Sequence, residues 1–438
     1  ARDSATLQIG GMLNSAGNLA SSVVLAHVLG ANEQGQFYIA QALFAFFFFT
    51  LNLGVVQAAI SQIAGASARS LDEKIANWLA YVAKAYLAAS IVLIGLGWVL
   101  LPWFAEWQLD SRQIGWWAWL LCLTPLVEMP KVVCCTAFQG TRRMLPLAQC
   151  ENGVEACRAV LVVVGAAITA DPLGPIVGTL AASLIGSVLS IDMYRRMRAK
   201  DPTSLPALRD IYGRIREVPL REGMRLGVRI GVMRNIDALC LEVLPPIIIK
   251  KFGGIDAEAI AAYFRIARNI MKLPMMMLQG ITRTALPTLS EYTGRGDWIG
   301  LRRTWLRITL LGGGVTAACV LVMALAAPWI VQTFYPRDYW APITSMVWIL
   351  ALAHAMQSFH VGIDAFYLAT NKLRVGIVIG IVGIISYLSS LIVLVSWLGA
   401  TGPAWAIVVA AILASANLVY VLHFFSKAAR AQREGVAA

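Results

Sequence analysis

Apolar stretches of about twenty residues recur along the chain, and this recurrence constrains the fold more than any other feature. A helix needs roughly 20 apolar residues to cross the hydrocarbon core of a bilayer. Hydrophobic residues make up 58% of the 438 residues and charged residues only 14%, and the mean hydropathy is +0.69. Strands that alternate between a lipid face and a lumen face are absent, which leaves helices to satisfy the backbone in lipid. The sequence therefore predicts an all-α polytopic membrane protein.

Twelve segments are predicted to cross the membrane, with bounds that can shift by several residues. They are 7–29, 37–60, 78–101, 114–138, 145–169, 173–194, 222–249, 257–283, 306–331, 341–369, 375–397 and 402–425. With the amino terminus in the cytoplasm, 22 of the 36 Lys and Arg residues lie on the cytoplasmic side, when Arg307 at the edge of the ninth span is included. Four fall outside, and the positive-inside rule selects this orientation. Both termini are then cytoplasmic.

One long cytoplasmic loop divides the predicted spans into two groups of six. The resulting parts are a bundle at 1–194, a connector at 195–221, a second bundle at 222–425 and a basic tail at 426–438. Within the connector Leu208, Ile211, Ile215 and Val218 follow helical spacing between arginines. This pattern fits a short helix lying on an anionic leaflet, and equally an ordinary solvated connector helix.

The two halves show an internal repeat. At a shift of 226 residues Phe37-Tyr38 aligns with Tyr263-Phe264, and at a shift of 229 the segment 140–144 aligns with 369–373. Since six is even, the halves share one orientation. They are predicted to be two six-helix bundles related by a pseudo-two-fold axis along the membrane normal, with a site between them near mid-bilayer.

The seventh and eighth spans hold more positive charge than a membrane helix ordinarily tolerates. Apart from the first two positions of each span, the spans of the second half contain three acids but seven bases, which are Arg225, Arg229, Arg234, Arg265, Arg268, Lys272 and Arg283. Each central base costs roughly 2.5–3.5 kcal/mol on insertion scales, so such residues normally face a bundle interior or a water-filled cavity. Arg265, Arg268 and Lys272 share one helix face, and Arg225 shares a face with Arg229. The two faces are predicted to line one cavity.

This surplus of arginine calls for an anion that the sequence does not supply. Guanidinium groups prefer flat anions with several oxygens, so phosphate or diphosphate fits best and small carboxylates also fit. The predicted diphosphate-binding residues are Arg225, Arg229, Arg234, Arg265, Arg268 and Lys272. The alternative is a structural role in which backbone carbonyls, Asp237 and Glu242 hold the bases.

Acidic residues within the spans have two interpretations. In the first half Glu128 lies three residues before Lys131, and Glu151, Glu155 and Arg158 share a face. Internal pairing is one interpretation; proton carriage by Glu128, Glu155 and Asp364 is the other, because a buried carboxyl can titrate near neutral pH. His360 and Asp364, four residues apart, fit either a proton relay or a hydrogen-bonded pair.

No enzyme motif competes with transport. The chain lacks a Gly-Lys-Ser/Thr phosphate loop, paired metal-ligating histidines and a Gly-x-Ser-x-Gly elbow. Its seven cysteines lie in apolar segments without metal-ligand spacing. The net charge of +12 is distributed around spans, so it does not indicate nucleic acid. We expect no catalytic site, no cofactor, no metal and no nucleic-acid partner.

The chain resembles the Wzx-type polysaccharide flippases (O-antigen and exopolysaccharide flippases) of the multidrug/oligosaccharidyl-lipid/polysaccharide (MOP) exporter superfamily. The likeness covers the twelve-span plan, Leu29-Gly30, the segment 35–40 (Gly-Gln-Phe-Tyr-Ile-Ala) and its echo at Tyr263-Phe264. It implies an inner-membrane carrier that moves an undecaprenyl-diphosphate-linked oligosaccharide to the periplasmic leaflet by alternating access, coupled to protons or another ion. It further implies membrane lipids, and other polysaccharide-assembly proteins, as partners. No single residue's role is carried over from the family.

Two other functions stay open at this point. A drug or cation exporter of the same superfamily is expected to place a carboxylate in its first span, where this chain has Asn14 and Asn18. A polytopic glycan polymerase or ligase is expected to carry a large outer loop with polar catalytic groups, and the predicted outer loops are short. The two extra spans of the related lipid II flippases are also missing.

Overall fold

The protein is described by a computed structural model in which the described residues form helices and short connections, with no strand among them. The described residues are 2–51, 54–67, 71–201, 205–221, 223–224, 227–228 and 238–433. Side chains are described for the same ranges except 2–10, 12–13, 50–51, 277–284, 286–287, 373 and 429–433. The predicted all-α polytopic class is confirmed.

The chain forms two compact units, residues 1–251 and 252–438. In the first unit the helices are α1 Arg2–Leu51, α2 Val55–Ser67, α3 Asp72–Leu109, α4 Arg112–Leu121, α5 Thr124–Gly140, α6 Met144–Thr169, α7 Leu173–Lys200 and α8 Leu208–Gly213. A π-helical turn at Leu239–Val243 leads into α9 Leu244–Phe252. The predicted bundle boundaries around the connector stay a prediction, because residues 222, 225–226 and 229–237 are not described.

The second unit repeats the same kind of arrangement. Its helices are α10 Ala257–Gly294, α11 Trp298–Arg307, α12 Gly313–Phe334, α13 Arg337–Ser358, α14 Ile363–Ala369, α15 Leu373–Leu398, α16 Gly402–Ala414 and α17 Ala416–Arg433. A π-helical turn at Ile308–Gly312 joins α11 to α12. Across the described part of the chain, seven helical segments are long and apolar enough to cross a membrane. The charged α10 is not among them.

Helix α1 contains the first and most of the second predicted span, separated by a break at one residue. Gly30 there has φ 77° and ψ 174°, a conformation that residues with a Cβ rarely adopt. The helical residues on either side continue without a loop. The break at Gly30 therefore changes the direction of the chain between the first two predicted spans within a single residue.

Helix bounds confirm the internal repeat. At a shift of 229 residues α6 Met144–Thr169 superposes in sequence on α15 Leu373–Leu398, start on start and end on end. The left-handed residues that precede and follow these helices obey the same shift, with Arg142 matching Asn371 and Ala170 matching Gly399. Two unrelated apolar sequences have no reason to place positive φ at equivalent positions, so the two halves descend from one helical plan.

The connector packs against the first unit through its apolar side chains. Leu205 and Ile211 are buried, and both belong to the core that contains residues of α3, α5 and α7. The ammonium of Lys84 on α3 donates to the carbonyls of Arg216 at 3.2 Å and Val218 at 2.8 Å. The apolar face of the connector thus covers protein, so the alternative of a helix lying on lipid is wrong for α8.

The predicted tenth span, 341–369, is interrupted. Helix α13 ends at Ser358, residues 359–362 form a turn, and α14 begins at Ile363. His360 lies in this turn and Asp364 in the first turn of α14. The interpretation that both residues occupy one face of a continuous helix is therefore wrong.

Candidate functional site

The candidate site is the basic face of α10. Its opposite face is apolar and buried, with Phe264, Ala267 and Met271 at or below 2% exposure. Arg265 and Arg268 are half-buried and Lys272 is exposed. The spacing i, i+3, i+7 keeps these three cations on one side of the helix, as the sequence predicts. Taken within the second unit, α10 therefore presents a stripe of positive charge backed by a packed apolar face.

Arg268 is the most structured member of the stripe. Its guanidinium carbon lies 5.6 Å from the centre of the Phe264 ring, within cation–π distance. It also acts electrostatically on His354 of α13 and on Tyr387 of α15. A guanidinium group suits an anion with several oxygens, because it can donate two parallel N–H hydrogen bonds.

His354 of α13 and Tyr387 of α15 are two polar side chains on which this arginine acts. His354 Nδ1 lies 3.0 Å from Gln357 Oε1, and Ser358 Oγ donates to the His354 carbonyl at 2.7 Å. The Tyr387 hydroxyl is buried and has no hydrogen-bond partner among the described residues. An orphaned buried hydroxyl costs free energy that a ligand or a water can recover.

Sequence reasoning missed His354 and Tyr387. Both lie in strongly apolar helices. The sequence feature that could have revealed them is a single polar side chain among apolar neighbours. His354, Gln357 and Ser358 are spaced i, i+3, i+4 and so form a polar stripe on α13.

The other predicted diphosphate ligands lie outside the described residues or side chains. Arg225, Arg229 and Arg234 fall within 222–237, where only 223–224 and 227–228 are described. Their part in the site stays a prediction.

The first unit holds a compact ion-pair network. Arg158 on α6 donates to Glu128 on α5 at 2.5 Å and to Glu155 one turn earlier at 2.7 Å. Glu128 also lies 3.6 Å from Lys131 and accepts from the Ser183 hydroxyl on α7 at 2.8 Å. The internal pairing expected from sequence is confirmed, and it extends across three helices. Glu128 and Glu155, two of the predicted ion-coupling residues, are therefore brought together.

Asp364, the third predicted coupling residue, lies elsewhere. It is exposed at the start of α14 in the second unit. Glu151, by contrast, lies on α6 within two turns of Arg158 and is exposed.

A family model described as a polysaccharide biosynthesis protein matches residues 2–293, which is most of the chain. The chain belongs to this polysaccharide biosynthesis family. The match includes the ion-pair network of the first unit and the basic stripe of α10. No curated protein matches the chain significantly.

Solved structures show that this family member has the fold of MOP-superfamily transporters. An inward-facing multidrug resistance MATE family transporter is similar with a TM-score of 0.73 and 16% identity, covering 95% of this chain and 96% of that chain. The lipid II flippase MurJ, in an inward closed conformation, is similar with a TM-score of 0.72 and 12% identity, covering 95% of this chain and 87% of that chain.

A third similar structure is a MOP superfamily transporter from Pyrococcus furiosus Vc1, described as having a binding pocket of reversed polarity. Its TM-score is 0.60 at 17% identity, covering 98% of this chain and 95% of that chain. At such identities the likeness establishes the fold and no more.

Proposed function

We propose that this protein is a flippase that carries an undecaprenyl-diphosphate-linked oligosaccharide from the cytoplasmic to the periplasmic leaflet of the bacterial inner membrane by alternating access. The observation that carries the proposal is the basic face of α10, formed by Arg265, Arg268 and Lys272 in a membrane protein of the polysaccharide biosynthesis family. Three cations on one side of one helix form a site for a polyanion, and a diphosphate is the polyanion that membrane-bound glycan carriers present.

Each residue has a distinct role in this proposal. Arg268, held by Phe264, grips the diphosphate through two hydrogen bonds in a fixed plane. Arg265 extends the same face by one turn. Lys272 supplies a mobile point charge that can follow the headgroup. His354 and Gln357 offer neutral hydrogen-bonding groups, which suit the sugar hydroxyls next to the diphosphate.

We further propose that acidic residues couple transport to a proton or ion gradient. Glu128 and Glu155 share Arg158 as a partner, so a proton delivered to either carboxylate removes half of that arginine's ion pairing. Protonation of Glu128 weakens the ion pair that joins α5 to α6, whereas protonation of Glu155 breaks a pair within α6 and leaves Arg158 to Glu128. Asp364 is the third candidate, on the separate evidence of its place in a broken span.

A cation exporter is the competing function. Its expected carboxylate in the first span is an amide in this chain, and the Asn14 amide nitrogen donates to Asn152 Oδ1 at 3.0 Å. The amide is thus engaged in a neutral contact between α1 and α6. This observation favours an anionic substrate.

The deciding experiment replaces Arg268 by Gln and measures glycan export together with binding of a prenyl diphosphate analogue to purified protein. A charge-assisted contact is worth roughly 1.5–3 kcal/mol, so binding weakens by about one to two decades. Arg268→Lys keeps the charge and loses the planar fork, so its effect is intermediate.

Arg337→Gln is the matched control. Arg337 also stacks on an aromatic ring, 5.9 Å from the centre of Trp340, but it lies at the first residue of α13. We expect normal binding and export in this variant. Normal binding of the analogue by Arg268→Gln contradicts the proposal. So does a strain that lacks the protein, becomes sensitive to drugs and still exports glycan normally.

A further inference from the structure

A basic cavity lies in the first unit, where α7 meets the connector. Its volume is about 400 Å³, and its lining comprises Tyr194, Arg195, Arg198, Ala199, Ala207, Leu208 and Arg209. This volume falls within the range of small-ligand pockets, about 300–1,000 Å³. The side chains that line it include three arginines and no carboxylate. The cavity is unrelated to the basic stripe of α10.

Two hydrogen bonds shape this cavity. The Tyr194 hydroxyl donates to the Pro206 carbonyl at 2.9 Å, and Arg198 Nε donates to the Leu205 carbonyl at 3.2 Å. Both side chains project from α7 and hold the chain that enters α8. The connector is thereby fixed as one wall, with α7 as the other.

Two neighbouring carboxylates have arginine partners outside the lining, and a third, Asp210, is exposed beside Arg209. Asp201 accepts from Arg143 at 2.6 Å, and Asp192 accepts from Arg196 at 2.7 Å. Arg195, Arg198 and Arg209 form no ion pair with a carboxylate among the described residues. Three guanidinium groups around one cavity repel one another until an anion enters, and phosphate oxygens match their donor geometry.

An exposed apolar stripe on α7 ends about two turns before this cavity, and the exposed Asp192, paired with Arg196, lies between them. Leu184 and Val188 are 58% and 59% exposed, and Arg195 lies on the same helix face. At a rise of about 1.5 Å per residue, Arg195 lies roughly 10 Å beyond Val188 along the helix axis. The predicted span ends at residue 194, so the stripe faces acyl chains where the arginines reach the headgroup layer. An anionic phospholipid has a matching arrangement, with apolar acyl chains next to an anionic phosphate.

We propose that this cavity binds a phosphate-bearing anion, the phosphodiester headgroup of an anionic membrane lipid. This site does not depend on the substrate of the flippase. The bound headgroup neutralises the arginines and bridges α7 to the connector, so lipid composition sets how firmly the connector is held.

The test measures ligand-dependent thermal unfolding of the purified full-length protein in a neutral detergent. The probes are dioctanoyl phosphatidylglycerol, dioctanoyl phosphatidylcholine and inorganic phosphate, each titrated to obtain a dissociation constant. The pocket variant is Arg195→Gln with Arg209→Gln, because neither side chain makes a hydrogen bond or an ion pair with the described residues. Arg198 is left intact since it holds Leu205. The control is Arg216→Gln with Arg221→Gln, two exposed connector arginines outside the cavity.

We expect phosphatidylglycerol to raise the unfolding midpoint of the wild type and the control equally. The pocket variant should bind it at least about tenfold more weakly. The affinity of Arg195→Lys with Arg209→Lys for phosphatidylglycerol should lie between those of the wild type and the Gln variant. This Lys variant is used for the test if the Gln variant does not fold. Equal binding by wild type and both pocket variants overturns the proposal, as does equal loss in the control. Tighter binding of inorganic phosphate, lost in the pocket variant, supports the anion site and overturns lipid as its occupant.

Discussion

Glu128 shows how single residues hold the first unit together. It lies on α5 and accepts from Arg158 on α6 and from Ser183 on α7. The side chains of Glu128 and Arg158 are 18% and 27% exposed, so the pair is largely withdrawn from solvent. Charged groups in such surroundings must be paired, because an isolated charge there costs several kcal/mol.

Glu128→Gln should therefore lower the stability of the protein. Breaking a buried pair typically costs 3–5 kcal/mol, and with partial exposure we expect about 1–3 kcal/mol. The measurement is the thermal unfolding midpoint in detergent. Glu128→Gln with Arg158→Gln should lower the midpoint by less than the sum of the single changes, because the two groups are coupled. Glu106→Gln is the control, since its pair with Arg112 at 3.8 Å is solvent-exposed. A midpoint for Glu128→Gln equal to that of the control would show that the network is not stabilising.

Ion coupling by the same carboxylates makes a separate prediction. Replacing Glu128 and Glu155 by Gln and Asp364 by Asn removes all three proposed proton carriers while keeping side-chain size. Glycan export, measured with and without a protonophore, should become insensitive to the protonophore. Export that still falls with the protonophore in the triple variant rules these residues out as the coupling sites.

At the scale of elements, Gly30 decides the course of α1. Its φ of 77° with ψ 174° lies in a region that only glycine visits freely. A Cβ built at Gly30 meets no atom within 4 Å, so any cost of substitution comes from the backbone.

Gly30→Ala should consequently destabilise the protein by about 1–3 kcal/mol. Gly17 offers a matched control in the same helix: a Cβ there also meets no atom within 4 Å, but its φ is not positive. Gly17→Ala should leave the unfolding midpoint unchanged or raise it, since alanine favours a helix by roughly 0.5–1 kcal/mol. Equal midpoints for the two variants would mean that the break at Gly30 carries no strain for alanine.

Some helices were predictable from the sequence to within a residue or two, but α10 extends eleven residues beyond the predicted span 257–283, and the interruptions of helices were not predicted. Residues 145–169 were predicted to form a membrane span, and α6 is Met144–Thr169. The agreement arises because the length of an apolar run sets the length of the helix that crosses the membrane. The turn after Ser358 has no proline or capping signature to announce it. The Arg158–Glu128 pair joins positions 30 apart, so it depends on how α5 and α6 pack. Local spacing revealed only the i, i+3 partners of each residue.

At the scale of the whole molecule, the repeat predicts that the two halves share one orientation in the membrane. Helices α6 and α15, and likewise the starts of α7 and α16, occur at a shift of 229 residues. An even number of spans per repeat returns the chain to the same side of the membrane, so equivalent loops of the two halves face the same compartment. The first residues of α4 and α13, Arg112 and Arg337, should therefore lie on the same side of the membrane.

Cysteine labelling tests this orientation. Arg112→Cys, Arg216→Cys and Arg337→Cys place a thiol at exposed positions, whereas the seven native cysteines are buried or half-buried. With excess positive charge held in the cytoplasm, a membrane-impermeant maleimide applied from the periplasmic side should label positions 112 and 337. It should label position 216 only after the membrane is permeabilised, and the unsubstituted chain supplies the background. Labelling of 216 from the periplasm would invert the topology, and opposite accessibility of 112 and 337 would exclude equally oriented halves.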